Sequence, residues 1–170
     1  IRNNVVTANR CTRTSWEGGA GGIAGEGGSP LISDCVVSGS TWFGVSIYDG
    51  TPIIQRCTIV GSAEGGIGGG GDSFTIRDCV VVHNSFAPEV GGHTAIAAAG
   101  NVSVTNSLIY DNRNGGISVW AGTATITNCT FGFNGELHAG ITLHHDCDAM
   151  ITNCIIAGNV WGVNSYDPSA

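Results

Sequence analysis

The 170-residue chain is long enough for one domain with a sizeable core, and its formal net charge of −7 comes with no lysine and six arginines. An acidic chain without a basic cluster argues against binding to nucleic acid or to anionic membranes. No apolar run approaches the roughly 18 residues that a membrane-spanning helix needs, so membrane insertion is not expected. The lack of an initiator Met and of a signal peptide indicates a mature or excised piece.

One short segment recurs along the chain. Each copy contains, in order, apolar residues, one polar residue, a position that is usually cysteine, further apolar residues and a polar turn. The copies begin at positions 1, 30, 52, 74, 102, 124 and 149 and read IRNNVVTAN, PLISDCVVSG, PIIQRCTIVGS, FTIRDCVVVHN, VSVTNSLIYDN, ATITNCTFGFN and AMITNCIIAGN. A unit this short cannot bury its own apolar face, so it must stack on its neighbours.

Aligned copies form columns of one side-chain type. The cysteine column is Asn4, Cys35, Cys57, Cys79, Ser107, Cys129 and Cys154. The polar column just before it is Asn3, Asp34, Arg56, Asp78, Asn106, Asn128 and Asn153. Short β-branched segments bounded by Gly, Asn, Asp and Ser favour strands over helices. Recurrence in register is typical of parallel strands that stack at about 4.8 Å per coil, with Asn or Asp at turns that need left-handed backbone.

The ladder cysteines are interpreted as inward-facing small hydrophobic residues. Disulfide and metal roles are the alternatives, but one thiol per coil without a neighbouring His or Cys is unlike a zinc site. Cys11 and Cys147 fall outside the ladder and several coils apart, so a bond between them is not expected. Cysteine usage leaves the redox compartment open.

The pattern Gly-Ile…Pro-x-Ile-x-Asn-Cys-x-Ile-x-x-Asn resembles the repeats of the pectate-lyase-like superfamily over nearly the whole chain. The resemblance implies an all-β, single-stranded right-handed parallel β-helix of about seven coils, each with three short strands called PB1, PB2 and PB3. In these terms GVSIYDG (44–50) is PB1, TPII (51–54) is PB2, CTIVG (57–61) is PB3 and the polar column is the T2 turn. Residues 1–170 then form one domain, which can be a fragment of a longer β-helix.

Coil length varies in the T3 turn before PB1, and in the resembled superfamily T3 loops wall a glycan cleft whose floor is PB1. The inserted turns surround Trp16 and His93. On the PB1 face, Gly68, Gly70, Ala97 and Ala99 predict a bare floor, with Tyr48 on one side and Trp120, His144 and Tyr166 on the other. Tyr48 and Trp120 are three coils apart, roughly 14 Å, which could seat about three sugar units. The alternative is that these aromatic residues merely cover the sheet.

Acidic residues follow PB1, most densely in HHDCD (144–148). Asp146 and Asp148 could hold calcium, and His144 or His145 could act as a base, although a solvated turn explains the cluster equally. No other cofactor is expected. The Asn-Thr-Asp, Asp-Asp, Gly-His-Gly and Arg-x-Lys signatures of polygalacturonase-like enzymes are absent, so the catalytic residues are unknown.

These observations favour a secreted or cell-surface β-helix scaffold with a groove for a polysaccharide or oligosaccharide. A carbohydrate-active enzyme, either a lyase, an epimerase or a hydrolase, is the alternative, and ice or mineral binding is a third class. If the coil ends are uncapped, end-to-end association of copies is also expected, because open strand edges pair with other chains.

Overall fold

A computed structural model describes residues 1–10, 21–85, 93–135 and 138–166. These segments form strands, turns and bends without a helix, and so contain no helix that could cross a membrane. Their strands are β1 (Val5–Thr7), β2 (Ile23–Glu26), β3 (Leu31–Ser33), β4 (Val36–Ser38), β5 (Phe43–Tyr48), β6 (Ile53–Gln55), β7 (Thr58–Val60), β8 (Gly65–Arg77), β9 (Val80–Val82), β10 (Ile96–Thr105), β11 (Leu108–Tyr110), β12 (Ile117–Val119), β13 (Gly122–Thr127), β14 (Thr130–Gly132), β15 (Ile141–Leu143), β16 (Cys147–Thr152), β17 (Ile155–Ala157) and β18 (Val163–Ser165).

Strand pairing among the described residues is parallel throughout, and its register follows the predicted columns. In PB1 the partners are Ile23, Val45, Ile67, Ile96, Ile117, Ile141 and Val163. In PB3 they are Val6, Val37, Ile59, Val81, Ile109, Phe131 and Ile156. The chain is therefore an all-β solenoid of about 6 turns, close to the seven coils predicted.

The expected coil of three separate strands is not kept throughout. In two successive coils PB1 and PB2 run together as the long strands β8 and β10. Elsewhere a turn separates them, as at Asp49 and Gly50, whose φ angles are 62° and 82°. In β8 and β10 glycines occupy this corner, and Gly100 with φ 86° bends the strand without ending it. PB1 and PB2 consequently share one 11-stranded sheet, and PB3 forms a separate 7-stranded sheet.

The core consists of stacked Ile, Val and Cys side chains, as the columns predict. Cys35, Cys57, Cys79 and Cys129 are buried, Cys154 is half-buried, and all are free thiols. The Cys57 thiol donates to the carbonyl oxygens of Gln55 at 3.2 Å and Ile32 at 3.7 Å. Burial raises the pKa of the Cys129 thiol to about 11. The structural interpretation of the ladder is confirmed, whereas Cys11 lies outside the described residues.

Two polar columns make the corners of each coil. All seven residues of the T2 column have left-handed backbone, from Arg56 with φ 49° to Asp34 with φ 57°, which confirms the predicted turn. The second column, in the turn after PB3, includes Asn84, Asn112 and Asn134, all almost fully buried. Each of these amide oxygens accepts a hydrogen bond from the backbone N–H of the column residue in the preceding coil. Asn112 Oδ1, for example, accepts from the Asn84 N–H at 2.9 Å. The coils are thus held in register by side-chain as well as strand hydrogen bonds.

Candidate functional site

The outer face of PB1 carries a column of aromatic and small residues. Val45 and Ile47 point into the core, so Tyr48 projects outward by the period-2 alternation of a strand. Tyr48 pairs with Gly70, and Gly70 pairs with Ala99. Trp120 continues the register, because its N–H bonds to the Ala98 carbonyl at 3.0 Å directly after β12. Tyr48 and Trp120 are therefore separated by two rungs that lack a large side chain.

Beyond Trp120 the same column becomes an aromatic stack. The Trp120 and His144 rings have centroids 3.7 Å apart and planes 7° from parallel. His144 and Tyr166 follow with a centroid distance of 5.2 Å and an angle of 17°. One face of the Trp120 ring is covered by His144, yet the residue remains 51% exposed. The predicted aromatic flank is thus one continuous stack.

A pocket of about 400 Å³ lies between Tyr48 and Trp120. Its lining consists of Trp42, Phe43, Tyr48, Gly69, His93, Ala97, Ala99 and Trp120. His93 was expected in the wall, and Tyr48, Ala97, Ala99 and Trp120 were expected around the groove. The turn around Trp16, the other expected wall, lies outside the described residues, as do residues 86–92 next to His93.

Phe43 changes the expected floor. Its ring lies over Gly68, where an added Cβ would come within 2.8 Å of Phe43 Cε1. Phe43 is itself only 3% exposed and packs against His93 with ring centroids 5.2 Å apart. The expectation that Gly68 forms bare floor is therefore wrong, because an aromatic side chain from the adjacent coil fills that space. Gly70 lies in the column beside the pocket but is not among its lining residues.

Sequence reasoning missed Trp42 and Phe43 as site residues. They stand just before the Gly-Val that opens PB1, where the next coil has Glu64 and Gly65. An aromatic pair at that position, with Phe43 opposite Gly65 of the next coil, is the signal that could have revealed them.

Residues 19–170 match the family described as right handed beta helix region. The chain belongs to this right-handed β-helix family. No curated protein and no solved structure matches it. The family match and the parallel coils together establish the fold of the β-helix, including its hand. The narrower resemblance to the pectate-lyase-like superfamily, with the glycan binding and secretion that it implies, stays a prediction.

The pocket of this β-helix has an uncharged lining at neutral pH. The His93 residue is exposed, but partial desolvation, with His138 nearby, lowers its pKa, so its imidazole is neutral. The other lining residues carry no ionisable group except the Tyr48 phenol. The Trp42 indole Nε1 is buried and has no hydrogen-bond partner. An incoming ligand therefore meets aromatic surfaces, not charge.

Asp146 and Asp148, the predicted calcium ligands, lie in and after the turn that follows His144. Asp146 occupies a left-handed turn with φ 59°, and Asp146 and Asp148 are both exposed. Within the described ranges, no three or more His, Cys, Asp or Glu residues come together in a way that could hold a metal ion. The structure therefore adds no support to the predicted calcium site at these aspartates.

Proposed function

We propose that this β-helix is a scaffold that binds a neutral oligosaccharide in the pocket between Tyr48 and Trp120. The observation that carries the proposal is an uncharged pocket bounded by aromatic side chains at both ends. The C–H faces of a sugar ring pack favourably on aromatic rings, and a few polar groups then fix its orientation. A volume of about 400 Å³ falls within the range of small-ligand pockets, roughly 300–1,000 Å³.

Binding is better supported than hydrolysis. Most glycosidases use two carboxyl groups that face the scissile bond. None of the described residues lining the pocket carries a carboxyl group. Glu64, the one buried carboxyl group in the described segments, is not part of this lining. Burial raises the pKa of Glu64, but no second acid accompanies it in the pocket.

The proposal is tested with a glycan array, run once with calcium and once with a chelator. Trp120→Ala should then weaken any hit by about 1–3 kcal/mol, since aromatic anchors contribute on this scale. Trp161→Ala is a matched control, because Trp161 is 52% exposed but lies outside the pocket lining. Equal affinities for wild type and Trp120→Ala would place binding elsewhere. Binding that is lost in the chelator would show that calcium is needed, and binding that persists would show that it is not.

The proposal includes a secreted or cell-surface location, where extracellular glycans are available. It also includes end-to-end association, because β1 is an edge strand of the 7-stranded sheet, β18 is an edge strand of the 11-stranded sheet, and they carry the exposed residues Val5 and Val163. Sedimentation at increasing protein concentration tests association, and a mass that stays monomeric throughout contradicts it.

A further inference from the structure

The stacked rings determine how Trp120 faces the pocket. Two ring centroids only 3.7 Å apart in nearly parallel planes must be displaced almost along the ring normal. Trp120 and His144 occupy adjacent rungs, so this normal runs along the solenoid axis. The free face of the Trp120 indole therefore looks along the axis toward the rung of Ala99. Trp120 is the end wall of the pocket, not part of its floor.

Two layers of the aromatic column are vacant. From Tyr48 the column passes through Gly70 and Ala99 before it reaches Trp120. Three rung steps of about 4.8 Å separate Tyr48 from Trp120, so each vacant layer is about 4.8 Å thick. Flat rings already occupy such layers, since Trp120, His144 and Tyr166 lie on successive rungs with centroids 3.7 and 5.2 Å apart. Flat rings stack at about 3.5–4.0 Å, so a vacant layer also has room for a puckered sugar ring, which is thicker.

The pocket is also walled on the side of the T3 turn. Trp42, Phe43 and His93 precede PB1 and close the pocket on the side of the T3 turn. On the opposite side, the lining includes no residue of the corner that follows PB1, where Gly71 and Gly100 pair in successive coils. A chain entering this space therefore ends against the aromatic wall.

We propose that the pocket binds the end of a neutral saccharide chain crosswise, with a sugar ring lying flat on the free face of Trp120. This inference rests on the proposed function and specifies its ligand. The chain then runs across the PB1 strands and leaves over the following turn, perpendicular to the solenoid axis. Only one or two terminal units contact the protein, so the site recognises chain ends instead of the interior of a polysaccharide.

Oligosaccharide length is the first test. Cello-, manno-, xylo- and galacto-oligosaccharides of one to six units are titrated by calorimetry. For a series that binds, affinity should level off at about two units. Masking one end of the chain, either the non-reducing or the reducing end, should abolish binding, and masking the other end should not. Affinity that keeps rising to six units would overturn crosswise binding but leave the proposed function standing. If none of the four series binds, both are overturned.

A substitution that fills a vacant layer distinguishes crosswise binding from binding along the solenoid axis. Ala99→Phe should extend the stack from Trp120 into the pocket and lower affinity about tenfold or more. For a chain lying along the axis, the new ring would be an additional platform, so unchanged or stronger binding overturns the inference. Ala99→Leu fills the same layer with a smaller group and answers the question if Ala99→Phe fails to fold. Trp161→Ala again serves as the control outside the pocket.

A planar aromatic ligand is the competing occupant. The test compares p-nitrophenyl glycosides of the sugars that bind with p-nitrophenol itself. The inference expects only the glycosides to bind, because the proposed site takes the sugar ring and not the aryl group. If p-nitrophenol binds as tightly as its glycosides, the pocket takes flat aromatic rings and the inference is overturned.

Discussion

Asn112 is the best position at which to measure what the buried amide ladder contributes to stability. Its side chain is fully buried, and its amide group donates to the carbonyl oxygens of Val81 at 2.9 Å and Tyr110 at 3.1 Å. It also donates to Asn134 Oδ1 at 2.9 Å, while its own oxygen accepts the Asn84 N–H at 2.9 Å. Asn112→Ala removes all of these bonds at once.

The expected cost follows from the bonds that have no replacement. The Asn84 N–H is left buried without a partner, which costs about 1–3 kcal/mol. The Asn112 amide shares two N–H bonds among three acceptors, so the lost donations count as at most two, and each adds about 0.5–1.5 kcal/mol before the site relaxes. With partial relaxation, Asn112→Ala should lower the free energy of unfolding by about 3–4 kcal/mol.

Urea unfolding followed by circular dichroism measures this loss, provided that the slope of the transition stays equal to that of wild type. Asn101→Ala is the matched control, because Asn101 is exposed and its amide donates to Asp72 O at 3.0 Å. The control should lose less than about 1 kcal/mol. If Asn112→Ala costs no more than the control, the buried ladder does not hold the coils together and the reasoning is refuted.

Two further predictions concern the core and pH. Cys57→Ser should lower the free energy of unfolding by only about 1 kcal/mol, since Ser107 in the same ladder donates to Thr105 O at 2.8 Å and accepts the Cys79 N–H at 3.1 Å. Urea unfolding measures this loss. Rapid labelling of native Cys57 by a bulky thiol reagent would contradict its burial. Burial, with His138 and His145 nearby, lowers the pKa of His144 below its ordinary 6.5, so its contribution to stability is complete above that pH and is lost as pH falls below it. Wild type should therefore lose more unfolding free energy than His144→Gln between pH 7.5 and 5.5, and equal losses would show that His144 does not titrate as argued.

Much of the architecture could be predicted because it depends on local pattern. The side-chain period of a strand is two, and every coil repeats the same order of residues, so the partners of Val45 and Ile59 follow from alignment alone. Asn and Asp tolerate left-handed backbone, which places the T2 turns. The aromatic column could be identified in the same way, although its capacity to bind a glycan remains a prediction.

The amino-acid sequence alone determined the parallel stacking, the registers and the inward cysteines, because repetition imposes one environment on each column. Only the tertiary structure decided where Phe43 lies, since its ring packs over Gly68 of another coil. Whether PB1 and PB2 form one continuous strand, as in β8 and β10, likewise depends on how the backbone at the glycine corners packs on neighbouring coils. The orientation of Trp120 is set by its contact with His144 one rung away. Column position says which residues are neighbours, but the direction in which a long side chain leans depends on the space its neighbours leave.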